Sequence, residues 1–257
     1  MKNPIRTFAA GFAALVLFTQ PGFANAAEIK ILSAAGFRFI LEDLGPKFER
    51  ASGHKLAVSY GTLGVAVKQL QGGETADLVI LPREGIDTLV KDGKAAAGNA
   101  TALARVGLNM AVRKGAPKPD IASPEALKRT LLAAKSITYG DPAAGNASGI
   151  QFVKVLDRLG ITKEMKSKTV LVANTSQMAP LFASGKAEIA VTQLGNLLTV
   201  DGIDIVGPLP KDLQQPIVFT GVVMNSARDA GSAKALISFL RSAESAKVIK
   251  AKGMDPA

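Results

Sequence analysis

The sequence predicts an α/β chain of two lobes, each a mainly parallel sheet flanked by helices, joined by two crossing strands. Three observations predict it. Short apolar strands alternate with segments of helical spacing in both halves, the order that right-handed β-α-β crossovers produce. Leu78-Val79-Ile80-Leu81 is continuously apolar, as in a strand buried on both faces of a parallel sheet. The breaker run Gly115-Ala116-Pro117-Lys118-Pro119 interrupts the alternation, and a long apolar strand, Ile217 to Met224, returns late in the chain. Residues 27–108 and 216–257 are therefore expected to form lobe 1, and 109–215 lobe 2.

The first 26 residues are set apart as a signal peptide. Lys2 and Arg6 give a basic start, Phe8 to Phe18 an apolar run, and Ala24-Asn25-Ala26 a small-x-small cleavage site. The apolar run is too short to span a bilayer comfortably. A periplasmic location is expected. Removing Lys2 and Arg6 from the 31 basic residues leaves 29 against 21 acidic, a net charge of about +8. The chain has no cysteine, which excludes disulfides and thiolate metal sites. His54 is the only histidine, so a histidine-cluster metal site cannot form. No tryptophan is present, and no basic run carries interleaved aromatics, which argues against nucleic acid as a partner. No cofactor, no metal and a monomer are expected.

The elements follow in order. Ile29 to Leu32 is a strand, Ser33-Ala34-Ala35-Gly36 a small-residue turn, and Phe37, Ile40, Leu41 and Leu44 mark the apolar face of a helix. A strand that runs straight into a helix leaves first-turn N–H groups uncovered, and the helix dipole favours an anion there. This turn is expected to form one wall of an anion-accepting cleft. Lys55 to Tyr60 is the next strand; Gly61-Thr62-Leu63-Gly64 leads into the helix Val65 to Gln71. Thr62 is placed to donate to a ligand or simply to cap its helix, and both roles can coexist. After Leu78–Leu81 comes Pro82-Arg83-Glu84-Gly85 and a helix from Ile86 to Lys91. Ala95 to Ala102 reads as irregular, and Val106 to Arg113 as a strand crossing to lobe 2.

In lobe 2, Ser123-Pro124 starts a helix with an N-cap serine and proline at its first position. Ser136 to Tyr139 is a strand. The long turn Gly140 to Gly149 offers Asn146 and Ser148 as donors, with glycines that admit a ligand to backbone N–H groups; capping in a flexible loop is the alternative. Thr169 to Val172, Ile189 to Thr192 and Asp201 to Val206 are further strands. Ala233 to Leu240 and Ala243 to Lys250 are closing helices.

Together, "IKILSAAGF", "VSYGTLGVAVKQLQGG-ETADLVIL", "ITYGDPAAGNASG" and "GKAEIAVTQ" behind a signal peptide resemble the periplasmic solute-binding proteins of the molybdate-binding type. These are binding components of ABC importers with the type II two-lobe fold. The resemblance implies a small anionic ligand, a permease of the inner membrane as partner, and no catalysis. Family members grip a tetrahedral oxyanion with hydroxyls and backbone N–H groups, without a basic side chain or a metal. Carried over by position, the ligand-binding residues are Ala35, Gly36 and Phe37 with Ser33 and Ala34; Gly61 and Thr62; Asn146, Ala147 and Ser148 up to Gly149; Thr175 and Ser176 beside Asn174; and Thr192 with Gln193.

Two positions depart from the family pattern. Gly36 replaces the usual serine and Gln193 the usual tyrosine. Each lost charge-assisted hydrogen bond costs about 1.5–3 kcal/mol. Arg38 and Arg83 follow their strands closely, where a guanidinium could pair with a carboxylate; the alternative for both is a solvated rim. An organic carboxylate held by Arg38 and Arg83 thus competes with a molybdate- or tungstate-like oxyanion. A periplasmic ligand sensor is a further alternative. An exported hydrolase would need Ser33 or Ser148 to reach His54, and is not expected.

Overall fold

A computed structural model describes residues 26–257. The expected signal peptide lies outside the described residues, Ala26 excepted. The chain runs β1 (Glu28–Ala34), a 3-10 turn (Ala35–Phe37), α1 (Arg38–Ser52), β2 (Lys55–Gly61), α2 (Leu63–Gln71), β3 (Leu78–Pro82), α3 (Arg83–Lys91) and β4 (Ala95–Val106). It continues with β5 (Leu108–Arg113), α4 (Pro124–Ala133), β6 (Ile137–Gly140), α5 (Ala147–Leu159), α6 (Thr162–Lys166), β7 (Thr169–Val172), α7 (Met178–Ala183), β8 (Ile189–Gln193), α8 (Leu194–Leu197) and β9 (Ile203–Pro208). It closes with β10 (Ile217–Met224), α9 (Ala230–Leu240), α10 (Ala243–Ala251) and β11 (Asp255–Pro256).

Two sheets result. The first has the order β11-β4-β10-β3-β1-β2, the second β7-β6-β8-β5-β9. The expected two-sheet α/β architecture is present, but the balance within each sheet is corrected from mainly parallel to mixed. In the first sheet β2, β1 and β3 pair in parallel, while β10 is antiparallel to both β3 and β4. In the second, β7, β6 and β8 are parallel and β5 is antiparallel to β8 and β9. The β-α-β units supply the parallel half; the strands carrying the chain between sheets supply the antiparallel half.

Local chemistry explains the elements. Helix α1 buries Ile40, Leu41, Leu44 and Phe48 on one face and ends at Gly53, whose φ of 77° suits glycine. Ser123 caps α4 by accepting from Ala126 N–H, with Pro124 in the first turn. All five residues of β3 are buried, as a central strand requires. Strand β4 overturns the expectation of an irregular segment at Ala95–Ala102. Its alanines, glycine and threonine show no apolar alternation; β10 supplies the large side chains and pairs with it through two register shifts.

The chain first passes between sheets at Gly107, between β4 and β5. The return segment before β10 is tied to that crossing by Gln214. Its Oε1 accepts from Leu108 N–H at 2.7 Å and its Nε2 donates to the Leu209 carbonyl at 2.9 Å. One core cluster fills the first sheet and its helices, including Phe37, Phe48 and Phe219. Two others serve the second sheet, one around Phe152 and one around Phe182. Each sheet therefore carries its own core. No helix among the described residues is long and apolar enough to cross a membrane.

Candidate functional site

A cleft of about 330 Å³ opens where strand-to-helix turns of both sheets converge. The first sheet contributes Ala34 to Gly36, Arg38, Tyr60 to Leu63 and Phe219. The second contributes Asn146 to Ser148, Ala173 to Thr175, Gln193 and Asn196. The arrangement follows from topology: in a parallel sheet every strand ends on the same side, so the helix N-termini after β1, β2 and β6 face one space.

Of the residues expected at the ligand, Ala34, Ala35, Gly36, Arg38, Gly61, Thr62, Asn146, Ala147, Ser148, Asn174, Thr175 and Gln193 line this cleft. Ser33, Gly149 and Thr192 lie behind that lining, with Ser33 and Thr192 buried. Three more do not line it. Arg83 is corrected: it is exposed on α3 and its Nε meets Asp87 Oδ1 at 2.7 Å. The Phe37 side chain is corrected to the core, fully buried with its ring 5.3 Å from Phe219. Ser176 is exposed and its hydroxyl turns back to the Asn174 side chain. The larger groove of about 780 Å³ around Arg113, Arg129 and Lys135 lies away from the turns of β1 and β2.

The hydroxyls are largely committed within the protein. Thr62 accepts from Val65 N–H and donates to the Ala144 carbonyl at 2.7 Å, across the cleft. Its capping role is realised, and its proton joins the two sheets. Ser148 donates to Asn146 Oδ1 at 2.8 Å and lies 3.0 Å from Thr192 Oγ1. Asn196 Nδ2 donates to that same Thr192 oxygen. Protons then run one way, from Asn196 through Thr192 and Ser148 to Asn146, whose Oδ1 also caps α5 by accepting from Gly149 N–H. The chain rigidifies the wall and fixes the direction of the α5 N-terminus.

Arg38 supplies the charge. Its guanidinium lies 4.5 Å from the Tyr60 ring centroid, a cation–π arrangement, and only loosely meets Glu42 at 4.0 Å. Burial, aided by the Glu42 charge, pushes the Tyr60 phenol above its ordinary range. It therefore stays a neutral O–H near pH 7. Tyr60 was not singled out in the sequence, although it immediately precedes the Gly61-Thr62 turn. Asn196, three residues past Gln193, and Phe219 were missed too. Phe219 arrives only because β10 pairs with the end of β3.

Gly36 and Gln193 prove to be one feature. A Cβ at Gly36 would lie 2.7 Å from Gln193 Oε1, 3.0 Å from Nε2 and 2.9 Å from Phe219 Cζ. A serine here would require the Gln193 amide or the Phe219 ring to shift. Gln193 is 3% exposed, and no donor among the described residues reaches its Oε1.

No group of three or more His, Cys, Asp or Glu among the described residues could hold a metal ion. His54 stacks on Phe48 and bonds Ala27 N–H and Ser232, so neither Ser33 nor Ser148 has it as a base.

A cleft between two mixed sheets, walled by helix N-termini, defines a class of two-lobe binding protein. The chain belongs to the family described as bacterial extracellular solute-binding proteins, whose model matches residues 29–255. Among individual relatives, it is 33% identical to an aconitate isomerase of a Pseudomonas species over 95% of this chain and 94% of that one. It is 29% identical to the molybdate-binding protein ModA of Azotobacter vinelandii, over 90% of each. The solved periplasmic molybdate-binding protein of Azotobacter vinelandii superposes with a TM-score of 0.72 at 22% identity, covering 88% of this chain and 98% of the other. The type II periplasmic binding fold and the resemblance to molybdate-binding proteins both hold.

Proposed function

We propose that the protein is a periplasmic binding protein that captures a small organic polycarboxylate between its sheets and presents it to an ABC permease of the inner membrane. The observation that carries the reading is Arg38, held over Tyr60 at the cleft wall beside the converging helix N-termini. A guanidinium matches a carboxylate bidentately. The α5 N-terminus, stiffened by the Ser148–Thr192 chain, takes a second carboxylate. The expected tetrahedral oxyanion is less well served, because the serine hydroxyl is missing at Gly36 and the Thr62 proton already goes to Ala144. Closure is a hinge motion about the crossing segments clasped by Gln214, and the closed form is what the permease recognises.

A thermal-shift screen of the chain after export-segment removal tests this, with di- and tricarboxylates beside molybdate, tungstate, sulfate and phosphate. Ligand at a hundred times its dissociation constant adds about 2.7 kcal/mol. Carboxylates are expected to raise the midpoint; a rise with molybdate or tungstate alone refutes the reading.

A second reading, isomerisation of an unsaturated tricarboxylate, is favoured by the relative named aconitate isomerase. Moving a proton at carbon requires a base within reach. Among the lining residues Tyr60 is the most acidic proton donor, and burial keeps it protonated, so little phenolate is present to act as a base. Proton NMR of cis- and trans-aconitate incubated with the protein separates the readings: interconversion above the protein-free rate, lost in Tyr60→Phe, supports the isomerase.

A further inference from the structure

We infer that Tyr60 is a positioning residue for the ligand: its ring holds the Arg38 guanidinium at the cleft wall before a carboxylate arrives. The inference rests on the carboxylate reading and deepens it. The two side chains come from neighbouring strand-to-helix turns of the first sheet. Tyr60 of β2 pairs in register with Ser33 of β1, and Arg38 begins α1 just beyond the β1 turn. The guanidinium carbon lies 4.5 Å from the ring centroid, and both residues line the cleft.

Little else among the described residues fixes this arginine. Its side chain is 47% exposed, and its ion pair is with an equally exposed Glu42 at 4.0 Å. A surface pair of that kind contributes little. An unrestrained arginine keeps rotamer freedom that a ligand must take away on binding. An aromatic ring takes that freedom away beforehand, and its attraction for a cation strengthens as closure removes water. The ring also suits the task better than a carboxylate would. It attracts the cation without accepting its N–H hydrogen atoms, which leaves the fork to the ligand. Burial and the Glu42 charge keep the phenol neutral, so no tyrosinate competes with the ligand for the guanidinium.

Calorimetric titration of residues 27–257 with citrate and trans-aconitate tests the inference as a double-mutant cycle over Tyr60→Leu and Arg38→Met. Tyr60→Leu alone should weaken binding about two- to thirteenfold, the worth of one long side chain that the ligand must now immobilise itself. In the Arg38→Met background the same substitution should have no measurable further effect. Tyr60→Phe, which keeps the ring, should recover most of the loss. Tyr60→Met, also without a ring, takes the place of Tyr60→Leu if that variant does not fold. An equal loss in both backgrounds would give Tyr60 a role independent of Arg38, and a loss that Tyr60→Phe does not recover would give the role to the hydroxyl. Either result, or unchanged affinity without the ring, overturns the inference and leaves the carboxylate reading intact. Carboxylate binding indifferent to Arg38→Met, or binding of neither carboxylate, overturns both.

Discussion

Substituting Gly145 with alanine should weaken ligand binding without touching the ligand. Gly145 has φ of 71° and packs against Gly64 of the opposite sheet's turn, so that an added Cβ would lie 2.4 Å from both Cα and N of Gly64. Relieving that clash to an ordinary 3.4 Å contact requires the turns to part by about 1 Å. The Thr62–Ala144 hydrogen bond, now 2.7 Å, then stretches to about 3.7 Å and is lost. The weaker Gly64 N–H to Gly145 carbonyl contact at 3.4 Å goes with it. These bonds run between the turns of the two sheets, so under the proposed hinge closure their loss penalises the closed form. One neutral hydrogen bond contributes about 0.5–1.5 kcal/mol, or roughly two- to thirteenfold in affinity. The left-handed backbone itself costs an alanine about 1–2 kcal/mol, but in open and closed forms alike.

Gly93→Ala is the matched control, with φ of 70° and nothing within 4 Å of its added Cβ. Both variants should lose a few degrees of thermal midpoint. Only Gly145→Ala should lose affinity for citrate by isothermal titration, with a larger scattering radius at equal ligand. Equal dissociation constants for the two variants would refute the argument that this contact holds the cleft shut.

The remaining expectations are simpler. Arg38→Met should weaken carboxylate binding about ten- to hundredfold, from a charge-assisted bond worth about 1.5–3 kcal/mol. Arg83→Met should change nothing, since Arg83 is engaged with Asp87 away from the cleft; calorimetry of the pair checks both. Asp77→Ala should destabilise the fold by at least about 2 kcal/mol in urea unfolding, because two backbone N–H groups lose their acceptor. Those groups belong to Lys30 and Arg228, bonded at 2.8 and 2.7 Å by a carboxylate that is nearly wholly buried. Asp229 caps α9 through Ser232, and these hydrogen bonds hold its pKa below the ordinary value. Its stabilisation is present above the unfolded pKa and disappears as pH falls through the lower folded one. The gap in thermal midpoint between wild type and Asp229→Asn should therefore narrow as pH falls from about 6 to about 3; a constant gap contradicts the assignment.

Much of this was legible in the sequence because it is written in local chemistry. Ser123-Pro124 marks a helix start by itself, and apolar runs such as Leu78–Leu81 announce a buried strand. The cleft was legible for a related reason. Small residues between a strand and a helix mean an open helix N-terminus, and parallel strands place those ends together. What was not legible depends on partners distant in the chain. Arg38 and Arg83 occupy the same pattern, a helix start with an acidic residue four positions on. Only the structure separates them, because Glu42 stands 4.0 Å from Arg38 while Asp87 takes Arg83 at 2.7 Å. The replacements at Gly36 and Gln193 looked like two separate losses. They are a single packing solution reaching across the cleft. Strand β4 escaped notice because its partner, β10, carries the apolar signal for both. Thr62 shows the same limit: its position marked it as a donor, but the acceptor that takes its proton is Ala144, in the other half of the chain.

The central claim is that the cleft between the sheets binds an organic polycarboxylate through Arg38. Calorimetric titration of residues 27–257 with citrate, trans-aconitate and molybdate, repeated on Arg38→Met, tests it most directly. The account expects saturable binding of at least one carboxylate, weakened at least about tenfold by Arg38→Met, and no comparable binding of molybdate. Tight molybdate binding that is indifferent to Arg38→Met, with both carboxylates inert, would contradict it.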